Sequence, residues 1–281
     1  MLQGNPAQYF HYSDLVQYAR NLISTIARDH EIAGVAGVPR SGMLAAAAAA
    51  IHLGVPLYEA NMDGIQSISH GRRLDNLKQG GRIVVMEDSI NSGARFYQLR
   101  QKLGDSHIYA AVFSTPRSVR KADYVHVVLP LPHWFDWWLW GSAYLLNRNI
   151  GIDFDGILCH DCPREKDTDD EAYAEWMRTA EPLRHARPYG VRTIITGRLE
   201  KYRTITEGWL ARNRQEVKQV LFGQWPSAKE RNHIADFKAK MIRELELTAF
   251  IESDVRQARR IAELTGKPVA CPDACQVLGQ C

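Results

Sequence analysis

The sequence predicts an α/β protein of two domains, each a mainly parallel sheet flanked by helices. Three observations predict it. Apolar, β-branched runs alternate with longer helical stretches along the whole chain, the pattern by which βαβ units are read. That alternation is interrupted once, by the aromatic segment 130–146, and then restarts. The length, 281 residues, suits two domains at roughly 100–200 residues each.

In the first half, 32–37 is a predicted strand. A helix follows over 45–52, where six consecutive alanines combine high helix propensity with close packing. Residues 82–87 form a buried strand, 95–103 a helix, and 108–113 and 124–129 two further strands. The segment 130–146 carries four of the seven tryptophans: Trp134, Trp137, Trp138 and Trp140. Beyond it, strands are predicted at 149–153, 192–196, 217–222, 248–252 and 268–271. Helices are predicted at 170–180, 202–212, 232–244 and 256–264. The domains are accordingly placed at 1–146 and 147–281, with no Gly/Ser linker and no internal repeat of 20–50 residues.

Composition narrows the function classes. Hydrophobic residues at 45% and charged residues at 24% are ordinary for a globular protein. No run approaches the roughly 18 apolar residues of a membrane span, and residues 1–10 lack the basic and apolar regions of a signal peptide. A net charge of +3 does not by itself imply a nucleic-acid partner. Five cysteines spread over this length are not a disulfide framework. The expectation is a cytoplasmic protein with small-molecule partners and no membrane association, for which a homo-oligomer is compatible.

The most specific string in the first half is Val84-Val85-Met86-Glu87-Asp88-Ser89-Ile90-Asn91-Ser92-Gly93. An apolar strand ends in two acids, followed by small hydroxyl and amide residues and a glycine that opens a helix. Backbone N–H groups at a helix start, helped by Ser89, Asn91 and Ser92, suit a phosphate, and Gly93 permits close backbone approach. The two carboxylates repel that phosphate and suit a neighbouring diol. Phosphate plus diol reads as ribose 5-phosphate.

These residues resemble the ribose-phosphate motif of the type I phosphoribosyltransferases. Glu87 and Asp88 match its acidic pair, and Ser89, Ile90, Asn91, Ser92 and Gly93 its 5-phosphate loop. Upstream, Gly37-Val38-Pro39-Arg40-Ser41-Gly42 resembles the family's pyrophosphate loop, with Arg40 and Ser41 toward the anion. Residues 61–81, with Arg72, Arg73 and Lys78, resemble its catalytic loop. The resemblance implies displacement of pyrophosphate from phosphoribosyl pyrophosphate (PRPP) by a base-like acceptor, with Mg²⁺ on the pyrophosphate. Ser41, where the family often has glycine, and the glutamate that opens the acidic pair are departures. The aromatic run 133–140 admits two readings: base stacking by Trp134 or Phe135, or plain packing.

The second half opens with Ile150-Gly151-Ile152-Asp153-Phe154-Asp155-Gly156. Two aspartates at i and i+2 after an apolar strand can converge on one metal. Downstream strands deliver Thr196, then Glu252 and Asp254, to what would be the same carboxyl edge of a parallel sheet, and a helix carries Lys238 and Lys240. This ordered set resembles the haloacid dehalogenase (HAD) superfamily, mostly phosphatases. The resemblance implies Asp153 as nucleophile, Asp155 as general acid/base, Thr196 as phosphoryl anchor and Lys238 (alternatively Lys240) as the steadying lysine. It further implies Mg²⁺ held by Asp153, Asp155, Glu252 and Asp254. The spacing to Thr196 leaves room for only a minimal cap. Arg198, Lys201 and Arg203 either reach a second anionic group or form a solvated helix face.

Cys159, Cys162, Cys271 and Cys275 have spacings compatible with a structural Zn²⁺, the alternative being free thiols. Together the two resemblances imply two Rossmann-like domains: a phosphoribosyltransferase fused to a Mg²⁺-dependent HAD-like phosphatase. The second would hydrolyse a phosphomonoester, and the pair would make a nucleoside-like product. The alternative is a phosphatase regulated by a PRPP-sensing, non-catalytic first domain.

Overall fold

The computed structural model describes residues 8–69, 80–166, 169–185, 189–227 and 230–279. The chain divides into two compact units, Tyr12–Leu131 and a second one running from Pro132 onward that also takes in the described residues before Tyr12. The division therefore falls near the start of the aromatic segment, ahead of its tryptophans, and not after residue 146. The reason is apolar burial: Trp134, Leu139, Trp140 and Leu145 pack into the same core as Ile150, Ile152 and Phe154. A two-residue strand β1 (Tyr9–Phe10) pairs parallel with β8 (Trp134–Phe135) in that second unit. Tyr9 Oη donates to Asp136 Oδ1 at 2.5 Å, and the Trp140 indole N–H donates to Tyr9 Oη at 3.1 Å. Trp134 and Phe135 are thus core and anchor residues, at 2% and 0% exposure, which corrects the base-stacking reading.

In the unit Tyr12–Leu131, the order is α1 (Tyr12–Asp29), β2 (Ile32–Gly37), α2 (Gly42–Leu53), β3 (Leu57–Asn61), β4 (Gly64–Ser69), β5 (Arg82–Ile90), α3 (Ala94–Leu103), β6 (Ile108–Ser114) and β7 (Tyr124–Val128). Among the described residues the sheet order is β4-β3-β2-β5-β6-β7, parallel except for the β3–β4 hairpin. Helix α1 buries Leu15, Ala19, Leu22, Ile23 and Ile26, a stripe at helical spacing. Strand β5 runs longer than expected, through Ile90. Its ladder with β6 continues past the acids, pairing Glu87 with Ala111 and Ser89 with Phe113.

In the second unit follow α4 (Asp136–Leu139), α5 (Tyr144–Asn147), β9 (Ile150–Ile152), α6 (Asp170–Thr179), β10 (Val191–Leu199), α7 (Arg203–Arg212), β11 (Val217–Gly223), α8 (Ile234–Glu244), β12 (Ala249–Ile251), α9 (Val255–Thr265), β13 (Val269–Cys271) and β14 (Gln276–Leu278). The described sheet has the order β11-β10-β9-β12-β13-β14, with only β13–β14 antiparallel. The short central strands β9 and β12 lie side by side and are fully buried, as expected of parallel strands covered on both faces. Among the described residues, no helix is long and apolar enough to cross a membrane.

Candidate functional site

Strands β9 and β12 end in register, so the residues that follow them, Asp153 and Glu252, emerge at the same carboxyl edge. The Asp153 N–H still donates to the Ile251 carbonyl (2.8 Å) and the Glu252 N–H to the Ala270 carbonyl (2.9 Å). Helix α8 buries Ala235, Lys238, Ala239 and Ile242, which sets a lysine in the middle of its apolar stripe. Lys238 Nζ donates to Asp153 Oδ2 at 2.7 Å and to Glu252 Oε2 at 2.6 Å, with all three side chains buried. Lys240 lies on the other face, 3.7 Å from Glu244. Burial, and then Glu252, push the Asp153 carboxyl upward against the pull of the Lys238 ammonium. Burial favours the neutral amine of Lys238, yet the two carboxylates hold it above the ordinary range. Asp153 and Lys238 line a cavity of 350 Å³, shared with Asp155, Asp161, Arg231 and Ser253.

Asp155 is gripped from behind. Arg198, 1% exposed, donates from Nε to both carboxylate oxygens (3.2 and 3.0 Å) and from Nη2 to Oδ1 at 2.6 Å. The guanidinium lies 3.9 Å from the Phe154 ring centroid and bonds Thr206 Oγ1 at 3.1 Å. The reading of Arg198, Lys201 and Arg203 as a second anion site is corrected in consequence, because each is engaged within the chain. Lys201 pairs with Asp170, and Arg203 with Glu200 and Glu207. Thr196 is fully buried, and its hydroxyl oxygen accepts the Arg198 N–H at 3.1 Å.

The four-carboxylate metal set is not assembled. Asp153 and Glu252 face Lys238, Asp155 faces Arg198, and Asp254 caps α9 by accepting the Arg256 and Gln257 N–H groups at 2.7 and 3.0 Å. Although partial burial works the other way, Arg256 and these amides hold the Asp254 carboxyl below its usual range. Among the described residues, no group of three or more His, Cys, Asp and Glu is placed to hold a metal ion. The same finding overturns the zinc site. Cys159, Cys162, Cys271 and Cys275 are in no disulfide. The Cys159 thiol donates to Asp155 Oδ1 (3.4 Å), that of Cys162 to the Pro163 carbonyl (3.5 Å) and that of Cys271 to the Ser253 carbonyl (3.2 Å). Burial pushes the Cys271 thiol up to about 11 and raises Cys159 as well, which disfavours the thiolates a zinc ion requires.

In the other unit, adjacent parallel strands β2 and β5 bring the Arg40–Ser41 turn beside the acidic pair. Ser41 Oγ donates to Asp88 Oδ1 at 2.8 Å, and Asp88 is 2% exposed. Glu87 Oε1 accepts the Asp88 N–H at 3.2 Å. A Cβ on Gly42 would stand 2.7 Å from Glu87 Oε1 and 2.9 Å from the Met86 carbonyl, so only glycine admits this approach. Burial and the Asp88 charge push the Glu87 carboxyl well above its ordinary range. Arg40 is exposed, joined to Pro39 by a cis peptide.

The expected phosphate loop is partly strand: Ser89 and Ile90 belong to β5, leaving Asn91, Ser92 and Gly93 as the turn. Its carbonyls are held by the 115–121 segment. Ser118 Oγ donates to Ile90 O (2.6 Å), Thr115 Oγ1 to Asn91 O (2.6 Å) and Lys121 Nζ to Ser92 O (2.6 Å). In a trans peptide the N–H points opposite to the C=O, so the N–H groups of residues 91–93 point away from those donors. That makes a row of amides of the kind that binds anions. Gly93, at φ 63°, lies against Lys121. Thr115, Ser118 and Lys121 carry no motif in the sequence, and only the β6–β7 connection brings them under the turn. Arg72, Arg73, Lys78 and Cys281 lie outside the described residues.

No protein-family model matches the chain, and no curated protein matches it. Solved structures similar to part of it include the purine phosphoribosyltransferase of Pyrococcus horikoshii, at 17% identity over 47% of this chain and 94% of that one, TM-score 0.35. The xanthine-guanine-hypoxanthine phosphoribosyltransferase of Helicobacter pylori is similar at 18% identity over 47% and 93%, TM-score 0.35. Leishmania donovani UMP synthase is similar at 18% identity over 42% of this chain, TM-score 0.32, and this chain covers 27% of its length. Neither site described above rests on these likenesses.

Proposed function

We propose that the chain is a bifunctional enzyme. One unit transfers phosphoribosyl from PRPP to a base-like acceptor, and the other hydrolyses a phosphomonoester. The observation that carries the hydrolase half is the buried Asp153–Lys238–Glu252 triad on the wall of an open cavity. A carboxylate fixed by a strand end, with an ammonium 2.7 Å away, suits attack on phosphorus and formation of an aspartyl-phosphate. The Lys238 cation, itself held by Glu252, offsets the negative charge that gathers there. The HAD resemblance of the same residues supports this reading. The transferase half is supported by the acidic pair Glu87–Asp88, the Arg40–Ser41 turn tied to it, and the amide row at residues 91–93. Hydrolysis is downhill and would draw the reversible transfer forward, and fusion raises the local concentration of the shared intermediate.

The test uses the full chain, with and without an added divalent cation. Pyrophosphate release is followed from PRPP with a panel of bases, and phosphate release from a panel of sugar phosphates. Asp153→Asn is expected to abolish phosphate release and spare pyrophosphate release, and Asp88→Asn to do the reverse. If wild-type protein releases no pyrophosphate with any acceptor of the panel, the transferase half is wrong. The second reading, a PRPP-sensing first unit, is favoured by the burial of Asp88 under Ser41. Under it, Asp88→Asn would keep basal hydrolysis and lose only its response to PRPP.

A further inference from the structure

Among the described residues two cations line the Asp153 cavity, and only one of them is paired. Lys238 is held by Asp153 and Glu252. Arg231 is half-buried and makes no hydrogen bond or ion pair with any described residue. It stands in the connection three residues ahead of α8, whose first residue, Ile234, is also on the cavity wall. Half-burial takes part of the water from this guanidinium and supplies no counter-charge, a cost that an incoming anion relieves.

Tyr173 of α6 is on the same wall. Its ring is fixed by stacking on Trp176, with centroids 5.7 Å apart and planes 23° apart, and by the edge of Tyr202 at 5.4 Å. Its hydroxyl makes no hydrogen bond with any described residue. Burial, and then the Asp155 charge, push that hydroxyl well above its ordinary range, while Arg198 and Arg231 oppose them. The phenol thus stays a neutral donor within electrostatic reach of Arg231.

We infer that the hydrolase takes phosphomonoesters whose alcohol carries a second oxyanion, a carboxylate or a further phosphate, and that Arg231, with the Tyr173 hydroxyl, selects them. This rests on the phosphatase reading above. The phosphoryl group to be removed lies against Asp153 and Lys238, and the second anion against Arg231. The planar guanidinium fork meets either oxyanion through two parallel N–H bonds. The cavity, at 350 Å³, falls within the range of about 300–1,000 Å³ usual for small-molecule sites. Its carboxylates do not forbid a second anion. Asp153 faces Lys238, Asp155 faces Arg198, and Asp254 faces Arg256. Partial burial, and then Asp155, push the Asp161 carboxyl upward, so it carries less charge than a free one.

The test measures kcat/KM of the full chain on two matched pairs. Glycerol 3-phosphate is set against 3-phosphoglycerate, which adds a carboxylate, and fructose 6-phosphate against fructose 1,6-bisphosphate, which adds a phosphate. Wild-type protein is expected to favour the more anionic member of at least one pair by about 10-fold or more, the discrimination that one charge-assisted hydrogen bond supplies. Which pair shows it identifies the anion. Arg231→Gln should bring that ratio below about 3, mainly by raising KM for the more anionic ester. Arg231→Lys, which keeps the charge and loses the fork, should give an intermediate ratio, and Arg231→Glu should invert it. Each ratio is internal to one preparation, so a partly unfolded variant lowers both members alike and leaves it unchanged. If neither pair shows the preference, or if Arg231→Gln keeps it, while Asp153→Asn abolishes turnover, this inference is wrong and the phosphatase reading stands. If wild-type protein shows no Asp153-dependent turnover of any ester, both fall.

Discussion

Each unit holds a pair of acids in its sheet region, Asp153 and Glu252 after two adjacent strands and Glu87 and Asp88 within one strand, and stabilises them by different means. At the β9/β12 edge, Asp153 and Glu252 are held apart by a buried ammonium, and Asp155 by a buried guanidinium. At the β5 edge, Asp88 is held by a hydroxyl, that of Ser41, and Glu87 has its acidity weakened by burial and by its neighbour. The first arrangement keeps several fixed charges ready around a cavity. The second supports Asp88 through a neutral hydroxyl, with Arg95 offsetting part of the charge that gathers on Glu87. That contrast fits an edge that does covalent chemistry and an edge that grips a polyol.

The sharpest way to break the comparison is Lys238→Met. It keeps the apolar stem and leaves Asp153 and Glu252 buried face to face with no cation between them. Losing one partner of a buried ion pair costs about 3–5 kcal/mol, so denaturant unfolding should move to a markedly lower midpoint. Mild acid, which protonates one of the two carboxyls, should recover part of the loss. If Lys238→Met melts with wild type across the pH range, the triad is not the electrostatic keystone of that unit.

Ser41→Ala should have a smaller effect. It removes one hydrogen bond to a carboxylate that is 2% exposed, for which about 1.5 kcal/mol is expected. The hydroxyl is neutral, so its removal takes away a hydrogen bond but no counter-charge. Equal losses in Ser41→Ala and Lys238→Met would erase the distinction between the two edges.

Much of this was legible in the sequence, and the exceptions have physical causes. Lys238 interrupts the stripe Ala235, Ala239, Ile242 at helical spacing, whereas Lys240 falls outside it, so periodicity alone separates the two lysines. Asp254 precedes an amphipathic helix and reads equally well as an N-cap, which is its role here. Arg198 could not be read, because Thr-Gly-Arg at a strand end says nothing about a carboxylate 43 residues away closing on it. Asp161 was hidden inside Cys159-His160-Asp161-Cys162, where the thiols draw attention to metal; both Asp161 and Cys162 line the cavity. The strand after residue 81 reads as ending at the acids, since two adjacent charges look like a boundary. Burial of Ile90 and pairing with β6 carry it further. The aromatic segment was ambiguous by composition, and only its neighbours in space decide that it is core.

The smallest effect expected, and the one with the most specific shape, comes from Glu87→Gln. The folded protein holds the Glu87 carboxyl well above its ordinary range, first through burial and then through Asp88. A carboxyl whose folded value is raised contributes fully below its unfolded value, and that contribution is lost as pH rises through the folded value. Wild-type protein should therefore carry a growing deficit at this position between acid and neutral pH. Glutamine keeps an oxygen to accept the Asp88 N–H and does not titrate. The melting temperature of Glu87→Gln minus that of wild type should accordingly sit near zero at pH 4 and become positive by pH 8. Addition of PRPP should reverse the order, because the diol grip needs both acids charged. A difference that stays flat with pH would mean that Glu87 is ionised without penalty in the folded protein. The β5 edge would then be compensated by a charge, as its counterpart is, and not by the Ser41 hydroxyl alone.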